Sequence, residues 1–303
     1  MNGVFYVLLL FFWSTSWIAI AWQAGNVPSL VSIFYRFAFA GGIFMTALLI
    51  TRRLRPSSIT DHGFYILQGV LLFCLNFMGF YLATSYIASG LVALVMSSAI
   101  VMNAINSRMF YGQTLSRQIQ VAIVFGLAGL CLVFMKDIAV THDLDTIKGV
   151  ALALLGTLSF SFGNMVSVRN SRKDVDLVTA TAWAMCYGAL ATFALIQIMG
   201  FSLEWDSSLR YIGALIFLAL GASIGGFTLY LRLLTKIGAA KAAYVLVVTP
   251  VIALAFSAVF EGYQWEMNTF LGFGLVMAGN VLVLRGTRRQ KSRPEKFHRA
   301  AVE

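Results

Sequence analysis

The chain alternates between long apolar runs and short polar gaps. Ten runs stand out, over residues 3–21, 28–50, 64–83, 88–110, 119–135, 149–168, 178–199, 211–232, 239–260 and 268–285. Each comes close to the roughly 20 residues that an α-helix needs to cross the hydrocarbon core of a bilayer. The gaps between runs are too short to hold another folded domain, and the one extended polar piece is the basic tail, 287–303. The pattern predicts an all-α membrane protein of ten transmembrane helices. Ala19-Ile20-Ala21 has the small-x-small form of a signal-peptide cleavage site, but Met1-Asn2 lacks the positive charge that should precede one. The first run is therefore read as a mature helix.

Composition agrees with this pattern. Of 303 residues, 59% are hydrophobic and 11% charged, with a mean hydropathy of +0.83. A soluble domain carries about 25% charged residues, so a soluble enzyme is excluded. The net charge of +10 does not signal a nucleic-acid partner, because the bases sit in the gaps and form no basic face on a soluble domain. The implied partner is the lipid bilayer. Cys74, Cys131 and Cys186 lie singly inside apolar runs. No disulfide framework, metal site or cofactor is suggested.

Charge also sets the orientation. Alternate gaps, with the tail, collect eighteen lysines and arginines on one side, while the other side has only Lys136, Lys148 and Arg210. The positive-inside rule puts the richer side in the cytoplasm. Both termini are then cytoplasmic, in a multi-pass protein of the inner (cytoplasmic) membrane.

The two halves resemble each other. Residues 88–135 and 238–285 align at an offset of 150, which matches Phe110 with Phe260, Gly112 with Gly262, Gly129 with Gly279 and Val133 with Val283. The repeats span residues 1–140 and 141–286, with five runs each. Five is odd, so the second repeat must enter the membrane upside down. Inverted repeats of this kind are the architecture of many secondary transporters, with a substrate site near the midplane between the halves. Two such halves have two arrangements of similar energy, one open to each side.

Polar groups inside the runs are the candidate site. Arg36 is the one formal charge well inside a run, about 8 residues, or ~12 Å, from the run's start. A charge at that depth marks a functional site by default. Ser29, Ser32 and Arg36 share one helix face. Arg36 is either an anchor for a substrate carboxylate or a gate, or it binds helix-end carbonyls and holds its helix to a neighbour. Further stripes are Thr157, Ser161 and Asn164; Asn103 and Asn106; and Gln68 and Asn76. They serve either a polar solute or bonds between helices. Aromatic candidates are Trp13, Trp17, Trp183 and Tyr244, while Trp22, Trp205 and Trp265 sit where interfacial anchors sit. The expected substrate cavity is Ser14, Trp17, Ser32, Arg36, Asn76, Asn103, Asn164, Trp183 and Tyr244. Pro250, the one proline within a run, is the candidate gate or hinge. No Asp, Glu or His is expected well inside a span, so neither a catalytic group nor a buried proton-binding carboxylate is on offer. Coupling through an edge group such as Glu261 stays open. The runs centred on 119–135 and 268–285 have few polar side chains and should be peripheral. Gly126 and Gly129 there form a GxxG that suits a weak homodimer; otherwise the chain is a monomer.

Three motifs carry a family resemblance. Trp13-Ser14-Thr15-Ser16-Trp17 opens the chain, Tyr35-Arg36-Phe37-Ala38-Phe39-Ala40 follows, and Val248-Thr249-Pro250-Val251 precedes Phe260-Glu261-Gly262. In this order, with ten runs, they resemble the drug/metabolite transporter superfamily in its ten-helix EamA-like branch. The resemblance implies a carrier of small organic metabolites, an exporter of amino acids or related compounds. Ile100 and Gln113 depart from the family pattern, where a proline matching Pro250 and a glutamate are usual. The alternative, from a different class, is a lipid-handling or structural membrane protein whose polar stripes only bond helices together.

Overall fold

The structure is a computed structural model that describes residues 2–25, 27–135, 143–237 and 244–291. Its elements are all helices among the described residues. In chain order they are α1 (Asn2–Ala21), α2 (Ser29–Ile50), α3 (Ile59–Ala83), α4 (Ser89–Tyr111), α5 (Arg117–Met135), α6 (Leu144–Arg172), α7 (Leu177–Met199), α8 (209–237), α9 (Tyr244–Phe260) and α10 (Met267–Lys291). Nine of them are long and apolar enough to cross a membrane, and α9, at 17 residues, is a shorter apolar helix. The ten expected runs therefore correspond to ten helices. Residues 239–243 of the ninth run lie outside the described residues, as do Lys136 and the tail beyond Lys291.

Several helices start earlier than their apolar runs because polar caps extend them. At α3, the Asp61 amide donates to the Ser58 hydroxyl oxygen, and the Asp61 carboxylate accepts from the Ser58 amide. This reciprocal box satisfies two first-turn donors. It also brings His62, expected outside the spans, into the first turn of α3. At α6, Asp143 accepts from the Asp145 amide and the Thr146 hydroxyl. The Thr146 bond, with the Asp145 amide second, holds the Asp143 carboxyl below the ordinary carboxylate range. At the other end, α10 continues to Lys291, past the expected end of the repeat at 286.

Three helices are interrupted in ways the apolar pattern does not reveal. In α3, Val70–Leu75 is π-helical, and so is Phe217–Gly225 in α8. These are the third helices of the two halves. A π segment leaves carbonyls without their usual partners, and side chains from other helices fill the gap. Ser159 on α6 donates to the Leu71 carbonyl at 2.8 Å, and Trp13 on α1 donates to the Ala222 carbonyl at 3.3 Å. The third interruption is in α4, which divides at Ser98. There the Ser97 and Ser98 hydroxyls donate to the carbonyls three residues back, Leu94 and Val95. Such back-bonding competes with the helix ladder.

The packing mixes the two halves. Helices α3 and α4 pack on α6, and α8 and α9 pack on α1. Adding five to the helix number converts the first group into the second. The pair α2–α7 touches α3 and α8, and the pair α5–α10 touches α4 and α9. The α5–α10 contact is reciprocal at the offset of 150. A Cβ on Gly129 would stand 2.6 Å from the Gly272 carbonyl oxygen, and one on Gly279 would stand 2.9 Å from the Ala122 carbonyl oxygen. Gly272 matches Ala122, and Gly279 matches Gly129. Within the chain, Gly129 packs against α10, and a Cβ on Gly126 would point at Val101 of α4.

Candidate functional site

Loops after α1, α3, α7 and α9 gather at the end that the charge count assigns to the exterior. Tyr35 donates its hydroxyl to the Glu204 carbonyl and stacks edge-on against Trp205, and Arg210 lies over Trp22 at 5.3 Å. The buried charge, Arg36, follows Tyr35 directly on α2.

Arg36 is 3% exposed. Its Nε donates to the Ser223 hydroxyl, 3.1 Å away in the π segment of α8. Its guanidinium lies 4.3 Å from the Phe77 ring centroid and 5.1 Å from that of Phe37, and the Tyr81 hydroxyl contributes to its electrostatic surroundings. Tyr81 in turn donates to the Gln23 side-chain oxygen at 2.8 Å. Arg36 therefore bridges α3 of one three-helix group and α8 of the other. None of these neighbours carries a charge, and no ion pair joins Arg36 to an acid among the described residues. A charge at mid-span costs about 3 kcal/mol on insertion scales, and cation–π contacts offset about 1–2 kcal/mol of that when desolvated.

Arg36 (Nη1), Gln23 (Nε2), Ser14 (Oγ) and Asn76 (Oδ1) are among the buried side chains with a polar atom that has no partner, as are Thr249 (Oγ1) and Asn280 (Nδ2). Ser14, Arg36 and Asn76 each lie seven residues from the outer end of their own helix. At 1.5 Å per residue all three are about 10 Å deep, so they share one layer. One N–H of the Asn76 side-chain amide donates to the Leu72 carbonyl inside the π segment, at 3.0 Å, and its oxygen has no partner. Trp17 packs edge-on against Phe80 at 5.1 Å. Ser32, expected to extend the Arg36 stripe, instead pairs with the Tyr211 hydroxyl at 2.9 Å.

The remaining expected residues lie elsewhere. Asn103 accepts from the Ser161 hydroxyl at 2.8 Å and from Asn164 at 3.4 Å, and Asn106 donates to the Ser161 oxygen at 2.8 Å. These bonds join α4 to α6, and Asn103 and Asn164 stay partly exposed. Gln68 likewise receives a bond from Asn170 at 2.9 Å. Trp183 stacks on Tyr187 and meets the His62 ring at 4.7 Å, near the start of α3. Tyr244 packs with Val247 and Ile100. Pro250 lies inside the continuous helix α9. A polar cavity of about 410 Å³ between the α2–α3 loop and the α6–α7 turn includes Arg55, Asp61, Lys173 and Asp176. It contains none of the expected site residues.

A second polar cluster was not expected. Ala88 precedes α4 and has no side chain able to cap it. The cap comes from α9 in the other half. Both Ser89 backbone N–H and hydroxyl donate to the Glu261 carboxylate, the hydroxyl at 2.7 Å, and the Gly90 amide donates to the Ser257 hydroxyl oxygen at 2.7 Å. The Ser257 hydroxyl also bonds Glu261. A carboxylate at a helix N-terminus is favoured by the helix dipole. Gly90 permits the approach, since a Cβ there would stand 2.5 Å from Leu254 Cα. Of all this, the sequence carried only the Phe-Glu-Gly at 260–262.

Comparison with known proteins agrees with the fold and the motifs. The EamA-like transporter family matches this chain twice, over residues 1–135 and 147–285. The chain is 26% identical to the "Uncharacterized transporter YoaV" of Bacillus subtilis (strain 168), over 92% of this chain and 94% of that protein. It is 23% identical to an "Uncharacterized transporter" of Archaeoglobus fulgidus, over 92% and 96%. It is 26% identical to the "Uncharacterized inner membrane transporter YedA" of Escherichia coli (strain K12), over 92% and 89%. A solved crystal structure shares the fold, with a TM-score of 0.64 at 19% identity over 96% of this chain and 99% of the other. With ten apolar helices, the three motifs and a family match over nearly its whole length, this chain belongs to the EamA-like transporter family of the drug/metabolite transporter superfamily, and it is a multi-pass membrane transporter.

Proposed function

We propose that the protein is a secondary carrier of small organic metabolites in the cytoplasmic membrane. In this reading it exports amino acids or related compounds by alternating access, and it is not an enzyme. Its two five-helix halves are inverted repeats, with both termini in the cytoplasm. The observation that carries the reading is the contrast between the two seams joining the halves. The seam between α5 and α10 is backbone packed on backbone. The seam between α4 and α9 also packs closely, with Gly90 against the Leu254 backbone, and it adds hydrogen bonds to Glu261 and Ser257, which can break and re-form. Burial supports the same view. Every residue of α1 from Ser14 to Ile20 is buried, against only Leu9 among residues 3–13. On α4, residues 89–95 are all buried, against only Asn106 among residues 102–111. The outer halves of these helices are thus closed and their cytoplasmic halves looser, as in a carrier facing inward. Reciprocal contacts at Gly129 and Gly279 support the inverted repeat, because a two-fold axis pairs residues in this swapped manner.

The test is efflux and counterflow from vesicles containing the purified protein, against a panel of amino acids and metabolites. The reading expects saturable flux of at least one panel class, dependent on the protein. A folded protein that carries none of them would contradict it. Tagging the C-terminus and finding it outside the cell would contradict the topology.

A further inference from the structure

We propose that Glu261 is a proton-sensitive latch on the outer gate, so that exterior acid loosens the seam between α4 and α9 and favours the outward-open form. The inference rests on the carrier reading and adds a regulation to it. It starts from the direction of the hydrogen bonds in the seam. The Gly90 amide can only donate, and it donates to the Ser257 oxygen at 2.7 Å. The Ser257 hydroxyl keeps its own proton to give, and it bonds Glu261. Ser89 gives Glu261 its hydroxyl proton at 2.7 Å, and the Ser89 amide reaches the two carboxylate oxygens at 3.1 and 3.2 Å. Three donors thus converge on a group that is acceptor-only while it is ionised.

A proton added to Glu261 disturbs this arrangement in two ways. The carboxyl then has a proton of its own to place, and at Oε2 the Ser89 and Ser257 hydroxyls already point inward. One of these O–H groups must turn away. The negative charge at the start of α4 is also lost, and with it the attraction to the helix dipole. Bonds to an ionised acceptor are roughly twice as strong as neutral ones. The closed seam therefore prefers the carboxylate, while in an opened gate water solvates either form. By linkage, closing releases a proton and acid favours opening. Glu261 is exposed, so exterior protons reach it. No second titratable side chain lies on the helices that meet α9 at this end: residues 13–21 of α1, 89–98 of α4 and 267–284 of α10 have none. Tyr263 and Glu266 follow Glu261 on its own loop. Arg210 lies over Trp22, whose ring meets Phe260 at 5.7 Å, and Lys148, paired with Asp145, lies over Tyr86. Among the described residues, no base forms an ion pair with Glu261. The proton enters and leaves on the same side of the seam, so it is a signal and is not carried across with the solute.

Spin labels at Ser85 and Val259, exposed positions on the two sides of the seam, give the distance between the outer ends of α4 and α9 in lipid nanodiscs, with Cys131 first changed to serine. Between about pH 7.5 and about pH 4.5, a range over which carboxylates take up protons, the ratio of the longer to the shorter distance should rise about tenfold in otherwise wild-type protein. Glu261→Gln has the shape of the protonated acid, and should show the raised ratio at both pH values. Ser89→Ala removes one donor that prefers the carboxylate, and should respond less than the wild type. A wild-type ratio that ignores pH would overturn the proposal, as would an unchanged response in a folded Glu261→Gln. Vesicles holding a pH-sensitive dye separate a signal from a carried ion. Exterior acid should speed the exchange of a carried solute without proton entry, and proton entry in fixed ratio to the solute would overturn the latch. If the distances respond to pH and no panel compound is carried, the latch stands and the carrier reading fails. If a compound is carried and the distances ignore pH, the latch fails and the carrier reading stands.

Discussion

The two seams between the halves are built from different chemistry. At α5–α10, glycines allow backbone to touch backbone. At α4–α9, a carboxylate and a serine from one half cap a helix start in the other. Hydrogen bonds of this type contribute about 1–3 kcal/mol each when charged, and water or solute can replace them. The difference teaches where movement is affordable. A seam of fitted volume has one arrangement, since overpacking and voids both cost energy. A seam of polar caps has two, bonded or solvated.

Breaking the packed seam should have the largest effect. Gly129→Leu places a side chain where a Cβ alone would stand 2.6 Å from the Gly272 carbonyl oxygen. We expect a loss of about 3 kcal/mol or more, read as lost monodisperse protein in detergent, and Gly272→Leu should match it. Arg36→Met should act on function alone. It removes a buried charge that has no counter-ion, so thermal unfolding in nanodiscs should occur at an equal or higher temperature while flux falls to background. A protein that no longer folds would instead show that Arg36 is a structural brace. Glu261→Gln leaves one acceptor oxygen where there were two, and should weaken the polar seam by about 1–2 kcal/mol, a shift of about tenfold toward the outward-open form. Labelling of a cysteine at Ala88, whose side chain makes none of these hydrogen bonds, by an impermeant maleimide, with Cys131 first changed to serine, reads this as faster modification. The smallest effect belongs to Asn164→Ala. It loses one long, 3.4 Å bond of a partly exposed side chain, so we expect about 0.6 kcal/mol and nearly normal flux.

Much of the fold was legible because each membrane helix must be apolar for its own length. Ten runs became ten helices, and the motifs at Trp13, Arg36 and Pro250 pointed to the right family. Arg36 was legible as well, since a lone charge in an apolar run has few explanations. Other features were hidden. The π segments at 70–75 and 217–225 have ordinary apolar sequences; only the glycines at 221, 225 and 226 hint at one of them. The cap on α4 was invisible because the capping residue lies 172 positions away, at Glu261. Asn103 and Asn164 had the right spacing for a cavity, yet spacing does not say whether a polar face meets solute or another polar face. Ser32 shows the same ambiguity, turning to Tyr211. Gly129 packs closely against α10 within the chain, a contact that the GxxG spacing alone does not identify.

The most direct test of the account is a pair of distance measurements in lipid, with spin labels across each seam. One pair spans the outer ends of α4 and α9, and the other spans α5 and α10 near Val124 and Phe270, both exposed positions. The account predicts two distance populations for α4–α9 whose ratio changes when a carried solute is added, and one fixed distance for α5–α10. A single unchanging distance at α4–α9, or equal movement at both seams, would contradict it.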